Sequence, residues 1–132
     1  MTSHSNKLVC PCGGSAYTQC CGRFIDGGAL PSTAEELMRS RYSAYTLRNE
    51  PYLQLTWHAT TRPDEAVAQD EGMKWLGLEV RKHAQDGDKA TVEFVARYKM
   101  GGRAHRLHEI SRFVREDGQW FYLDGSFPES KK

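Results

Sequence analysis

No cysteine occurs after Cys21, although the first part of the chain carries four. No apolar run approaches the ~20 residues needed to cross a bilayer. Met1 to Val9 carries no apolar core of a secretory leader. Net charge is nearly missing as well: 18 Lys and Arg stand against 17 Asp and Glu, for a formal charge of +1. A chain this balanced has no overall field to draw in nucleic acid, and its arginines and aromatics do not interleave in one basic stripe. These absences argue against a membrane span, secretion and a nucleic-acid partner, and they place the chain in a reducing cytoplasm. Its 132 residues, 39% hydrophobic and 27% charged, suit one soluble domain with a modest core and a small appendage.

The appendage is the cysteine cluster. Cys10-Pro11-Cys12 is followed by Cys20-Cys21, and Pro11, Gly13, Gly14 and Gly22 supply the tight turns that fold a chain around an ion. Four thiolates in a tetrahedron suit one Zn²⁺ per chain. Two disulfides are the alternative. A bridge between adjacent Cys20 and Cys21 is strained, and a cross-paired set needs an oxidising compartment. Zinc is therefore the expected cofactor, with Cys10, Cys12, Cys20 and Cys21 as its ligands. Four sulfurs close the coordination shell, which marks a structural site rather than one that activates water. Four thiolates around one Zn²⁺ also add −2 to the chain.

The run Cys10-Pro-Cys-Gly-Gly-Ser-Ala-Tyr-Thr-Gln-Cys-Cys-Gly resembles the SEC-C motif known from the tail of the SecA translocase motor. Its glycine and serine order differs, with Gly13-Gly14-Ser15 here, which touches the turn and leaves the ligands intact. Ala34-Glu-Glu-Leu-Met-Arg-Ser-Arg-Tyr-Ser-Ala-Tyr and His108-Glu-Ile-Ser-Arg-Phe are similar to the bacterial YchJ family. That resemblance implies a zinc motif on a nuclear-transport-factor-two-like domain, and it brings no reaction with it. It also implies protein partners of export, chaperoning or translation, since the SecA motif contacts an export chaperone and the ribosome.

Beyond the cluster, Gly27-Gly28 and Pro31 mark a linker. Ser32 or Thr33, each followed three residues later by Glu, starts a helix over 33–48 with a capping box. Ala34, Leu37, Met38, Tyr42 and Tyr45 share its apolar face. Arg41 falls on the same face, either packing its stem while its head reaches solvent or meeting an acid inside the domain. With Arg39 and Arg48 it is the nearest approach to a basic patch. Pro51 opens a short helix through Leu53, Leu55 and Trp57, and a third is expected near Asp64 to Glu71. The period then changes from 3.6 to 2, predicting antiparallel strands at 74–84, 89–100, 103–115 and 119–125. Asp86-Gly87, Gly101-Gly102 and Asp117-Gly118 are the turns.

Two-residue turns at the second and third hairpins fix the register. Phe94 then faces Glu109, Val92 faces Ser111, Phe113 faces Tyr122 and Ser111 faces Asp124. For the first hairpin, a longer loop is expected, because only an even register sets Leu76, Leu78 and Val80 beside Tyr98, Ala96 and Phe94. One sheet face is then a core face, carrying Glu109, Ser111 and Asp124 at its middle. The opposite face, with Val95, Ile110, Val114, Phe121 and Leu123, is apolar enough to pack on the zinc knuckle, a second copy (a homodimer) or a partner.

Two acids on an apolar face need a cation or strong donors, so at least one pKa should move. Arg41 or His58 is the candidate compensating group, and Glu109 with Tyr45 or His58 is a conceivable proton-transfer set. The competing reading is a structural network of Glu109, Asp124, Arg41 and Ser111, with Asp124-Gly125 ending the last strand. The predicted architecture is α+β: a knuckle with a polar tail at 1–24, a linker at 25–32, a cone-like domain of helices on a curved four-stranded sheet at 33–128, and a tail at 129–132. The expected role is binding through the knuckle surface at Lys7, Tyr17, Gln19 and Arg23 rather than catalysis. Small-molecule binding or dehydratase-like chemistry around Glu109, Ser111 and Asp124 is the alternative.

Overall fold

Thr33 caps the long helix as its sequence requires. In the computed structural model, which describes residues 10–14, 16–65 and 73–128, the Thr33 side chain accepts from the Glu36 amide, while Glu36 reaches back to the Ser32 amide and hydroxyl. The helices are α1 (Gly22–Ile25), α2 (Ala34–Leu47) and α3 (Glu50–Leu55), and the strands are β1 (Met73–Asp86), β2 (Lys89–Met100), β3 (Arg103–Glu116) and β4 (Gln119–Ser126). Arg48 closes α2 in the left-handed conformation at φ 57°, and Asn49 caps α3 through the Tyr52 amide. Phe24 is buried in α1. Trp57 lies beyond α3 and bridges to Tyr122. Of the third expected helix, Asp64 and Glu65 form a bend and the remainder lies outside the described residues.

The strands form one antiparallel meander in chain order. β2 and β3 pair as the Gly101-Gly102 turn dictates, Phe94 opposite Glu109 and Val92 opposite Ser111. Both turn glycines have positive φ, 61° and 79°, which a two-residue hairpin of this type requires. The first hairpin corrects the expectation of a longer loop. Its turn is the two-residue Gly87-Asp88, with Asp86 opposite Lys89. The even register appears only after a bulge between Val80 and Lys82, which then sets Val80 against Phe94 and Leu78 against Ala96. A second bulge between Trp75 and Gly77 turns Leu76 outward, 50% exposed, and puts Trp75 opposite Tyr98 in its place. The bulges keep large side chains on the concave face where the turn alone would slip the register.

α2 lies on that concave face and contributes Leu37, Met38 and Tyr42 to a core shared with Val92, Phe94, Phe113 and Trp120. It is also buried on its other side. Ser40 bonds the Tyr52 hydroxyl at 2.7 Å, and Ala44 packs with Phe24, Tyr52 and Leu53. On the convex face Val95 is buried opposite His108, which pairs with Glu93 at 2.8 Å. The segment after α3 folds over the edge of β4: Tyr122 exchanges backbone bonds with Thr56 and His58, and Thr61 Oγ1 donates to the Leu123 carbonyl. The cysteine cluster sits on α2, not on the convex face.

Candidate functional site

The four cysteine sulfurs converge at the start of the chain, all within 4.8 Å of one another. A tetrahedral Zn²⁺ with Zn–S bonds of ~2.3 Å needs sulfurs ~3.8 Å apart, so the group fits such an ion with a small contraction. Cys12 and Cys20 are already at 3.6 Å, far outside bonding distance, and all four are free thiols. Gly13 turns the chain at φ 91°, and Gly14 approaches the sulfurs so closely that a Cβ there would lie 2.8 Å from Cys20 Sγ. The group docks through Cys10 Sγ on Ser43 Oγ at 3.4 Å and through Arg39, which donates to the Cys12 carbonyl and pairs with Glu35. Arg39 is thereby tied down and Arg41 is interior, so no basic patch forms on α2.

Sulfur electrostatics explain why this group wants a cation. The Cys21 thiol donates to Cys12 and, outweighing the cost of burial, brings Cys12 down to about 5. Cys20 and Cys21 move the opposite way. Burial, then hydrogen bonding to Cys12, pushes Cys20 up to about 11. The bond to Cys12, then burial, raises Cys21 further still. One negative charge is thus welcome among the sulfurs and a second is resisted. Full ionisation needs a bound metal.

A cavity of about 690 Å³ lies between α2 and the concave sheet. Arg41, Tyr45 and Ser111 line it, with Trp75, Phe94 and Phe113 among its walls. Arg41 does not reach solvent: it is 5% exposed. Its Nη1 donates to the Leu53 carbonyl at 2.9 Å and to Thr56 Oγ1 at 2.7 Å, and its guanidinium lies over the rings of Trp57 and Tyr122. Burial lowers its pKa, against the opposing pull of Tyr45, Tyr122 and Glu109. Glu109 is buried beneath the cavity wall, where one oxygen accepts from Ser111 Oγ at 2.7 Å and from the Tyr122 hydroxyl at 2.9 Å. Burial, then Glu109, raises the Tyr122 pKa, so its hydroxyl stays a donor.

Two expected members are elsewhere. Asp124 is not beside Ser111. A bulge at Leu123 puts Gly125 opposite Ser111 and turns Asp124 to the convex face, opposite Arg112. Arg112 donates to both Asp124 oxygens and holds that carboxyl below its ordinary value. His58 is also outside the cavity, bonded to Glu116 at 2.8 Å and to Thr60 at 2.7 Å. The proton-transfer set of Glu109 with Tyr45 or His58 is therefore not assembled. Tyr122 is the donor to Glu109, and Gly125 makes the room: a Cβ on Gly125 would meet Glu109 Cδ at 2.7 Å and Cγ at 2.9 Å and collide with Oε2. Gly125 read in the sequence as a turn residue, and only the bulge reveals its contact. Of the knuckle surface, Gln19 and Arg23 are exposed and Tyr17 is half-buried, while Lys7 lies outside the described residues.

The family model described as YchJ, middle NTF2-like domain, matches residues 33–125, from the helix cap through Gly125. The chain belongs to the YchJ family. A UPF0225 protein of Cupriavidus metallidurans is 61% identical over 127 residues, covering 91% of this chain and 89% of the relative. A UPF0225 protein of Chromobacterium violaceum is 52% identical over 126 residues, covering 90% and 93%. The solution structure of a SEC-C motif containing protein from Rhodopseudomonas palustris superposes with a TM-score of 0.84 at 32% identity, over 91% of this chain and 98% of that one. The crystal structure of a sec-c motif containing protein from Psychrobacter arcticus gives 0.77 at 29%, over 92% and 84%. In this YchJ family member the SEC-C cysteines form a group that could hold a metal ion. No helix among the described residues is long and apolar enough to cross a membrane.

Two consequences can be measured. Gly14→Ala forces Cys20 Sγ to yield, and metal affinity in a competitive chelator titration is expected to fall by about ten- to a hundredfold, the scale of lost support around a metal ligand. Asp124→Asn is expected to shift the urea-unfolding free energy by less than ~1 kcal/mol, because the Arg112 and Asp124 side chains are 60% and 42% exposed. What the pair does contribute is present above the ordinary carboxyl value of 3.8 and fades as pH falls below it.

Proposed function

We propose that this YchJ family member is a zinc-dependent adaptor. Cys10, Cys12, Cys20 and Cys21 hold one structural Zn²⁺ in a reducing cytoplasm and present a rigid surface to a protein of export, chaperoning or translation. The observation that carries the reading is the closed sulfur group seated on α2. Four ligands leave a tetrahedral ion no open position for water, so what the ion supplies is order in the loop that bears exposed Gln19 and Arg23. The test begins with metal content and mass of protein purified without added metal. One zinc per chain with four unmodified thiols is the expected result, and a mass lower by four hydrogens would replace the site with two disulfides. A photo-crosslinker at Gln19 should then capture a discrete partner in cells and lose it in Cys12→Ser. Capture that survives Cys12→Ser would sink the adaptor reading.

A second reading concerns the interior. The cavity has the volume of small-molecule sites, ~300–1,000 Å³, and it is lined by a buried arginine. This favours ligand binding over dehydratase-like chemistry, because the acid that such chemistry would use is spent on Ser111 and Tyr122 behind the wall. Glu109→Gln should therefore not remove ligand binding.

A further inference from the structure

Among the described residues, the charged side chains that line the cavity are Arg41, Arg48 and Lys74, all of one sign, and no carboxylate lines it. The nearest interior acid, Glu109, is absent from the lining, while the two hydroxyls that hold it, on Ser111 and Tyr122, are part of it. The remaining wall is largely aromatic and aliphatic, with Trp75 and Phe94 prominent.

Arg41 is the unusual member. A buried guanidinium is costly unless paired. Among the described residues no carboxylate bonds to it: Nη1 goes to a carbonyl and a threonine hydroxyl, the ring faces of Trp57 and Tyr122 cover it, and Glu109 acts only through space. The Tyr45 hydroxyl lies beside it, at the cavity side. Cation–π contacts, two neutral acceptors and a distant Glu109 leave the guanidinium without a bonded anion, among the described residues, at a desolvated wall. A cationic ligand would be repelled there, and a neutral one would leave the charge unmatched.

We propose that the cavity binds a small organic anion, a carboxylate or sulfonate on an apolar or aromatic body, with the anionic group at Arg41 and the body against Trp75 and Phe94. This rests on the small-molecule reading of the cavity and specifies its ligand class. Exposed Lys74 at the wall raises the local anion concentration and steers entry. The guanidinium is the choice donor for a planar carboxylate.

The test uses the full chain as purified, with two dyes that differ by one sulfonate: 8-anilinonaphthalene-1-sulfonate and uncharged N-phenyl-1-naphthylamine. The anion is expected to bind with one-to-one stoichiometry, tighter than the neutral dye by about ten- to a hundredfold, the range for a hydrogen-bonded charge. Arg41→Met should erase that preference and leave the neutral dye unchanged, with near-ultraviolet dichroism confirming the fold. Should Arg41→Met not fold, Lys74→Gln at the exposed rim serves instead. It should weaken the anion by about two- to fivefold, the scale of one screened charge, without affecting the neutral dye. Equal affinity for both dyes would overturn the anion assignment while leaving a small-molecule cavity. Binding of neither would overturn both. An anion preference that persists in a folded Arg41→Met, or an anion affinity unchanged by Lys74→Gln where that variant is used, would also overturn the assignment.

Discussion

Stripping the metal with a strong chelator is expected to lower the melting temperature by about 15 °C or more. Cys10, Cys12 and Cys21 are almost wholly buried and belong to the same core as Leu37, Met38 and Tyr42. A four-thiolate zinc site contributes on the order of 10 kcal/mol of apparent binding free energy, which in so short a loop is folding free energy. Only part of that needs to reach the domain. A loss of ~4 kcal/mol corresponds to roughly 15 °C at this chain length. Without the ion, Cys12 keeps one negative charge and the Cys20 and Cys21 thiols stay protonated. The sulfurs then have no centre to converge on, and the face of α2 beneath them, at Ser43, loses its cover. Differential scanning calorimetry before and after chelation, and on Cys12→Ser, measures this. A melting temperature that moves by less than ~2 °C in both would mean that the domain stands without the metal.

Gly125→Ala should be among the most destabilising single-methyl additions in the protein. Its new Cβ would fall on the Glu109 carboxylate, with Cδ at 2.7 Å and Cγ at 2.9 Å. Neither side can yield cheaply. Glu109 is held by Ser111 and Tyr122, and the Gly125 backbone is paired with β3 opposite Ser111. Over-packing costs ~1–3 kcal/mol, and a displaced carboxylate leaves buried donors unsatisfied at ~1–3 kcal/mol more. About 3 kcal/mol of lost stability is expected in urea unfolding. Gly77→Ala is the control, since a Cβ there meets nothing within 4 Å. In the double variant with Glu109→Ala the clash is gone, and the two losses should fall short of additive by at least ~1 kcal/mol. A Gly125→Ala protein within ~0.5 kcal/mol of the parent would show that Glu109 can move aside.

The grouping of Cys10, Cys12, Cys20 and Cys21, the capping box at Thr33, the four strands, the register of the second hairpin and that of the third as far as Phe113 opposite Tyr122 were all decided by the sequence. The reason is local: ligand spacing, a cap and a two-residue turn are properties of a few neighbouring residues. Three features belonged to the tertiary structure. The bulges at Leu76, Arg81 and Leu123 add one residue each to a ladder, and no period-2 pattern announces them. The last of these sent Asp124 outward and gave its place to Gly125. Ser40, Ser43 and Ala44 fall outside the apolar face read from the helical period, and their small size lets α1, α3 and the sulfur group sit against α2. Arg41 was legible as an anomaly on an apolar face. Whether its head met solvent or the interior depended on where Leu53, Thr56 and Tyr122 came to rest, and those contacts are made only when the strands close over the helix.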